Sequence, residues 1–311
     1  MSNHKMVEGR VCIVTGAGRG IGREYALMLG SHGGLVVVND LGASRDGSGG
    51  DSGPAQDVAN EIKAAGGQAV ANTDDISSYA GAKSIVDQAI DTFGGLDVVV
   101  NNAGILRDRM LFSMAEEEWD SVIKVHLKGT FGTSRFAAEY WRNRSKDGKT
   151  NDARIINTKD GKTNDARIIN TSSVAGLYAN PGQANYGAAK AGIAAFTQIA
   201  AQELSRYGVT ANAIAPGALT RLTEDLNLPD EMLAKFDPRW VAPIVTWLAS
   251  PLSKDVTGQV IESNGMFLAI AESWQRGPTL TTPPAEAEDV DAAIRPLLAA
   301  ARPRTTMADI N

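Results

Sequence analysis

The amino-acid sequence predicts an α/β fold: one doubly wound domain in which a seven-stranded parallel sheet lies between layers of helices. Two observations carry this. Fully apolar, largely β-branched runs recur along the chain (VCIV at 11–14, LVVV at 35–38, LDVVV at 96–100 with one acid), and amphipathic helix-period segments fall between them. Apolar strands alternating with helices mean a parallel sheet covered on both faces. The first run also leads directly into TGAGRGIG, Thr15 to Gly22, a strand, glycine turn and helix start of the kind at which such folds bind dinucleotide phosphates.

Bulk properties narrow the function. A chain of 311 residues, 43% hydrophobic and 21% charged, fits one large α/β domain better than two ordinary ones. Its formal net charge is −6 and it has no Lys/Arg run, which argues against nucleic acid or an anionic membrane as partner and for a small molecule. No stretch approaches the ~18 uncharged apolar residues of a membrane span, and the opening MSNHKMVEGR lacks an apolar signal region. A cytoplasmic protein is expected. The sole cysteine, Cys12, lies inside the first apolar run and reads as core filling. No metal is assigned.

Along the chain, Gly16, Gly20 and Gly22 allow a tight turn, backbone approach to a pyrophosphate and close packing of the next helix, whose N-terminus suits an anion. Arg19 reads as a phosphate partner or as a solvated surface arginine. Ile21 opens the apolar face that continues through Ala26, Leu27 and Leu29. The second strand ends at Asn39 and Asp40, about twenty residues past the turn, where a carboxylate accepts from the adenosine ribose. A 2'-phosphate about 4 Å from it is opposed by roughly 4 kcal/mol per charge pair at an effective dielectric of 20. The expected cofactor is therefore NAD rather than NADP. GASRDGSGGDSGP (42–54) is a polar loop near the adenosine. A helix over Ala55 to Ala65 and a strand over Gln68 to Ala71 lead to Asp74, which either accepts from the adenine amine or caps a helix. Ile85 to Phe93 is amphipathic, and the fourth strand runs into Asn101, Asn102, Ala103 and Gly104.

Tyr186 and Lys190 are four apart in GQANYGAAKAG, so a helix there stacks them on one face. A neighbouring ammonium lowers a phenol's pKa from its usual ~10, which makes Tyr186 a usable acid and base. Ser173 lies thirteen residues earlier, just after the apolar strand at 167–170, at the sheet edge where ligands bind. A Tyr and a Lys at this spacing occur in many helices; the weight comes from their company.

TGAGRGIG, NNAG (101–104) and the Ser173, Tyr186, Lys190 spacing resemble the short-chain dehydrogenase/reductase family, over residues 7 to about 270. The resemblance implies a Rossmann-like domain over residues 1–270 and a C-terminal extension over 271–311. NDLG (39–42), NNAGILRDR (101–109), VHLKGTF (125–131) and GQANYGAAKAG (182–192) resemble the (3R)-hydroxyacyl-CoA dehydrogenase domains of type 2 multifunctional enzymes, also called 17β-hydroxysteroid dehydrogenase type 4. By that resemblance Tyr186 exchanges the proton, Lys190 lowers its pKa and holds the nicotinamide ribose, and Ser173 bonds the substrate carbonyl. Asn102, Ala103 and Gly104 join the cofactor contacts, as do Tyr186 and Lys190 themselves and Pro216, Gly217 and Thr220 of IAPGALT. The family pattern puts its Thr four residues after PG; here Arg221 stands there and Thr220 comes one early. Where most relatives have Asn in the helix after NNAG, this chain has His126, either a proton relay to Lys190 or a satisfied helix histidine, and it is left out of the catalytic set.

The implied activity is NAD-dependent hydride transfer between nicotinamide and a secondary alcohol or ketone, foremost a 3-hydroxyacyl-CoA. A steroid dehydrogenase, an NADPH-dependent 3-oxoacyl carrier-protein reductase and a non-catalytic NAD-binding protein are the alternatives. The Ala- and Gly-rich helix after Lys190 builds a subunit interface in this family, so a homodimer or homotetramer is expected. Residues 221–236 read as a substrate lid, and 271–311 as an arm on a neighbouring subunit or a partly disordered tail. Residues 146–158 (KDGKTNDARIINT) recur unchanged as residues 159–171. This reads as a recent duplication or an error in the assembled sequence, and the second copy is expected to form the strand because it alone delivers Ser173 to the sheet edge.

Overall fold

The computed structural model describes residues 5–44, 46–51, 53–146, 164–218 and 234–309. Its first half follows the sequence pattern closely: β1 Val11–Thr15, α1 Gly20–Ser31, β2 Leu35–Asn39, α2 Gly53–Ala64, β3 Gln68–Asn72, α3 Tyr79–Phe93 and β4 Val98–Asn101. Helix α4 Glu116–Ile123 passes through a π-helical turn, Lys124–Lys128, into α5 Gly129–Lys146. Then come β5 Ala166–Thr171, α6 Val174–Tyr178, α7 Ala184–Leu204, β6 Val209–Pro216, a helix Ala242–Ala249, β7 Val260–Ser263 and β8 Leu268–Ala271.

The strands lie in the order β3-β2-β1-β4-β5-β6-β7-β8. The order reverses between β1 and β4, which opens a crevice at their carboxyl ends. Seven parallel strands were expected, and the sheet has eight. The extra strand runs antiparallel to β7, with Ser263 opposite Leu268. Asn264 Oδ1 accepts from the Met266 and Phe267 amides at 2.8 and 3.0 Å, closing a hairpin far too short for the crossover that a parallel strand needs. Its large residues, Leu268 and Ile270, face outward, so no buried apolar run marked it in the sequence.

Strand residues alternate between two cores. Cys12, Val14, Val36 and Val38 pack with Tyr25, Leu29, Ile62, Val245 and Leu248. Val11, Ile13, Val37 and Val99 pack with Ile85, Trp141 and Ile168 on the other face. Burial pushes the Cys12 thiol up to about 12, consistent with core filling. At the amino end of the sheet, Asp165 bridges Arg10 at 2.9 Å and the fully buried Arg167 at 2.5 Å. Asp165, Arg167 and strand β5 all belong to the second copy of the duplicated segment, as expected. The first copy, beyond Lys146, lies outside the described residues, as do Thr220 and most of the expected lid.

The chain divides into two compact units, Met1–Ala271 and Glu272–Asn311. Among its described residues the second carries one α-helix, Val290–Ala300, with Pro296 inside it and an Asp291–Arg295 ion pair at 2.8 Å. No helix among the described residues is long and apolar enough to cross a membrane.

Candidate active site

Backbone packing, more than the absence of side chains for its own sake, makes the turn after β1 require glycine. Gly16 has φ +63°, and a Cβ there would lie 2.7 Å from the Ala103 Cα. At Gly22 a Cβ would lie 2.1 Å from the Gly16 carbonyl oxygen and 2.4 Å from Asn102 Nδ2. Gly20 opens α1 with φ +55°, and exposed Arg19 stands at the N-cap with no side-chain cap bond, so the first amides of α1 point into the crevice. Ile21 is half-buried against the core.

Neighbouring strand ends brace this turn. Asp40 accepts from the amides of Gly18 at 2.8 Å and Gly42 at 2.7 Å, one on each oxygen. Each oxygen keeps a second lone pair for a further donor. Asn102 Nδ2 donates to the Thr15 and Gly16 carbonyls at 3.1 and 3.0 Å, and the Asn102 and Ala103 amides donate to Thr15 Oγ1. Asn102 Oδ1 is buried without a partner. Asp74 accepts from Asn72 at 2.8 Å beyond β3, and Gly217 is held to the Ser263 carbonyl at 2.9 Å just after Pro216. Open helix amides, glycines at 16, 18 and 22 that a Cβ would crowd, and an orphaned amide oxygen at a switch point fit a dinucleotide. Among the described residues of the expected 42–54 loop, the Asp46 carbonyl accepts from Arg107 Nε at 2.9 Å, and Gly53 and Pro54 already belong to α2.

Ser173, Tyr186 and Lys190 are brought together at the carboxyl end of β5. Ser173 caps α6, its Oγ accepting from the Ala175 amide at 3.2 Å, and its side chain lies near enough to Tyr186 to pull the phenol's pKa down. Tyr186 and Lys190 share one face of α7, with Lys190 Nζ 5.4 Å from the Tyr186 ring centroid. The ammonium donates to the Thr171 carbonyl at 2.6 Å, and Ser172 Oγ donates to the Lys190 carbonyl at 2.9 Å.

The electrostatics depart from the sequence reading. Burial pushes the Tyr186 phenol up from its ordinary value and Asp108 adds to that, while the Ser173 side chain pulls it down. Lys190 does not hold it low. The ammonium lies over the ring face and is spent on a backbone carbonyl, and burial brings its own value down to about 7.

His126 sits in the π-helical turn and is buried. Its Nε2 lies 3.0 Å from the Ile105 amide and 2.8 Å from the Ile105 carbonyl oxygen, and its ring meets Tyr186 edge-on at 5.2 Å. Burial and the Lys190 charge push it down to about 3, so it stays neutral. A Cβ on Gly104 would lie 2.3 Å from this ring, which ties Gly104 to His126.

Sequence reasoning missed Thr171 and Ser172, whose contacts to Lys190 come from tertiary packing, and it missed Ala179. That residue follows α6 with φ 62° and ψ 140°, a left-handed conformation in a non-glycine residue. Exposed Ala179→Gly is expected to stabilise the chain by about 1 kcal/mol. A chemical-denaturation midpoint that stays put or falls would show that the site carries no strain.

Residues 10–230 match the family described as short chain dehydrogenase. Hydroxyacyl-CoA dehydrogenase ChsB1 of Mycobacterium tuberculosis is 47% identical over 270 residues, 83% of this chain and 78% of that one. Peroxisomal multifunctional enzyme type 2 of Mus musculus is 41% identical over 274 residues, 88% of this chain but 33% of that one. The chain thus spans between 28% and 53% of the multifunctional relatives it matches. A solved short chain dehydrogenase from Mycobacterium avium superposes with a TM-score of 0.84 at 46% identity, covering 97% of this chain and 98% of that one. On this fold, this site and these matches, the chain is an oxidoreductase that belongs to the short-chain dehydrogenase family, whose members bind a nicotinamide cofactor.

Proposed function

We propose that the chain is an NAD-dependent dehydrogenase acting on a secondary alcohol or ketone, with a 3-hydroxyacyl-CoA as substrate. One observation carries the reading: Ser173, Tyr186 and Lys190 converge beside a glycine turn whose ribose end presents Asp40. The acyl-CoA substrate class is supported by relatives named for hydroxyacyl-CoA dehydrogenase and multifunctional activity.

A nicotinamide dinucleotide, when bound, supplies the hydride acceptor and donor. The turn from Gly16 to Gly22 with Arg19 and Ile21 would hold its phosphates, Asp40 its ribose hydroxyls and Asp74 its adenine. Asn102, Ala103, Gly104, Tyr186, Lys190, Pro216, Gly217 and Thr220 complete the set. Ser173 orients the substrate oxygen, and Tyr186 gives or takes the proton on it. The full chain assayed with 3-hydroxyacyl-CoA, steroid alcohols and 3-oxoacyl carrier protein, each with both nucleotides, tests this. Greatest kcat/KM for the acyl-CoA with NAD is expected; a steroid or carrier-protein substrate in first place overturns it.

The nucleotide preference rests on Asp40. Asp40→Ser removes the carboxylate that opposes a 2'-phosphate, and NADP affinity is expected to rise by roughly tenfold or more while NAD affinity falls by about tenfold. Equal weakening of both nucleotides in a titration would mean that Asp40 serves only the Gly18 and Gly42 amides. A cytoplasmic location and a homodimer or homotetramer belong to the same proposal, the latter supported by the small-residue surface of α7.

A further inference from the structure

We propose that Tyr178 and Glu262 form a positioning pair that fixes the far end of helix α6 and so sets the Ser173 hydroxyl against the Tyr186 phenol. The inference rests on the roles given to Ser173 and Tyr186 above, and the pair itself does not touch the reacting groups.

Helix α6 has five residues, too few to hold its own geometry in water, so its placement comes from its contacts. Three points fix it. Its start is Ser173 itself, the N-cap. Its middle is Gly176, pressed so closely on α7 that a Cβ would lie 2.6 Å from the Ala191 amide nitrogen and 2.7 Å from the Lys190 Cβ. Its end is Tyr178, whose hydroxyl donates to Glu262 Oε1.

Glu262 is buried at 6% exposure in β7, between Ala215 of β6 and Ala269 of β8. A buried carboxylate needs a donor, and among the described residues Tyr178 is the side chain that supplies one. Burial and Glu262 push the Tyr178 phenol well above its ordinary value, which keeps it a donor. Immediately beyond, Ala179 takes its positive φ. Such a conformation persists where the surroundings over-determine it, and here they do: Tyr178 is tied on one side, and on the other Gln183 bonds Asn180 at 2.9 Å and Asp108 at 2.8 Å. The stretch between Ser173 and Tyr186 is therefore braced against the sheet at one end and against the 105–109 loop at the other. A serine displaced by a fraction of an ångström would leave binding intact and spoil the approach.

The test uses the full chain and its best substrate, with Tyr178→Phe, Glu262→Gln and Ser173→Ala. Tyr178→Phe is expected to lower kcat by roughly ten- to a hundredfold, with KM and the nucleotide dissociation constant, read by intrinsic fluorescence, unchanged. Glu262→Gln keeps an acceptor for the Tyr178 hydroxyl and should retain kcat within about threefold. Wild-type kcat in Tyr178→Phe overturns the pair, as does an equal loss in Glu262→Gln or a parallel loss of nucleotide binding. Wild-type kcat in Ser173→Ala instead overturns the reading of the site on which the pair depends; an impaired Ser173→Ala beside an unimpaired Tyr178→Phe removes the pair alone.

Discussion

Replacing Tyr186 with Phe is expected to lower turnover by about a hundredfold or more, the scale of general acid-base catalysis. The ring keeps its edge contact with His126 at 5.2 Å and the Lys190 ammonium over its face at 5.4 Å, so packing is retained. What goes is the hydroxyl, which stands beside Ser173 and can move a proton onto a substrate oxygen. Because burial raises the phenol's pKa, Tyr186 stands protonated at neutral pH, ready as the acid of carbonyl reduction. Steady-state kcat with the preferred substrate, beside a nucleotide titration, measures the effect. Turnover within threefold of the parent chain would end the assignment of Tyr186 as proton carrier.

Gly22→Ala should abolish tight nucleotide binding. The new Cβ meets the Gly16 carbonyl oxygen at 2.1 Å and carbon at 2.9 Å, and Gly16 is itself pinned, with the Ala103 Cα closing its other side. The Gly16 wall is backbone, and the Asn102 side chain at 2.4 Å is held by its own bonds, so the turn has to open. That forfeits the Asn102 bonds to the Thr15 and Gly16 carbonyls and misaims the first amides of α1. A loss of about 1–3 kcal/mol in stability and a nucleotide dissociation constant raised by roughly a hundredfold, as expected for two charge-assisted bonds, are the predicted results. Unchanged binding by calorimetry would show that the dinucleotide lies elsewhere.

The sequence made visible what depends on fixed spacing within one element. Tyr186 over Lys190, the glycine turn ahead of α1, and Asp40 at the end of β2 were legible because a helix or strand dictates where residues four or two apart must lie. Contacts that join distant elements left no such trace. Nothing in the pattern couples Tyr178 to Glu262, 84 residues away, or spends the Lys190 ammonium on Thr171. The expected sign of the Tyr186 shift failed for the same reason: adjacency on a helix face was visible, whereas the depth of burial that outweighs it is a property of the packed site. Strand β8 escaped because its large residues face outward, and a half-apolar edge strand has no buried run to find.

The π-helical turn that carries His126 also changes the helical phase of everything after it. Such a turn holds one residue more than the α-helical turn it replaces, and one residue is about 100° of rotation. Counted straight through, the buried Thr130, Ser134, Ala137 and Trp141 of α5 lie roughly 60–120° away from the line of Val122, the buried residue of α4. With one residue discounted, Thr130, Ser134, Ala137 and Trp141 return to within about 40° of its line. The extra residue thus brings Ala137 and Trp141, buried far along α5, into line with Val122 at the start of the rod, and the same turn carries the imidazole that meets Tyr186 edge-on.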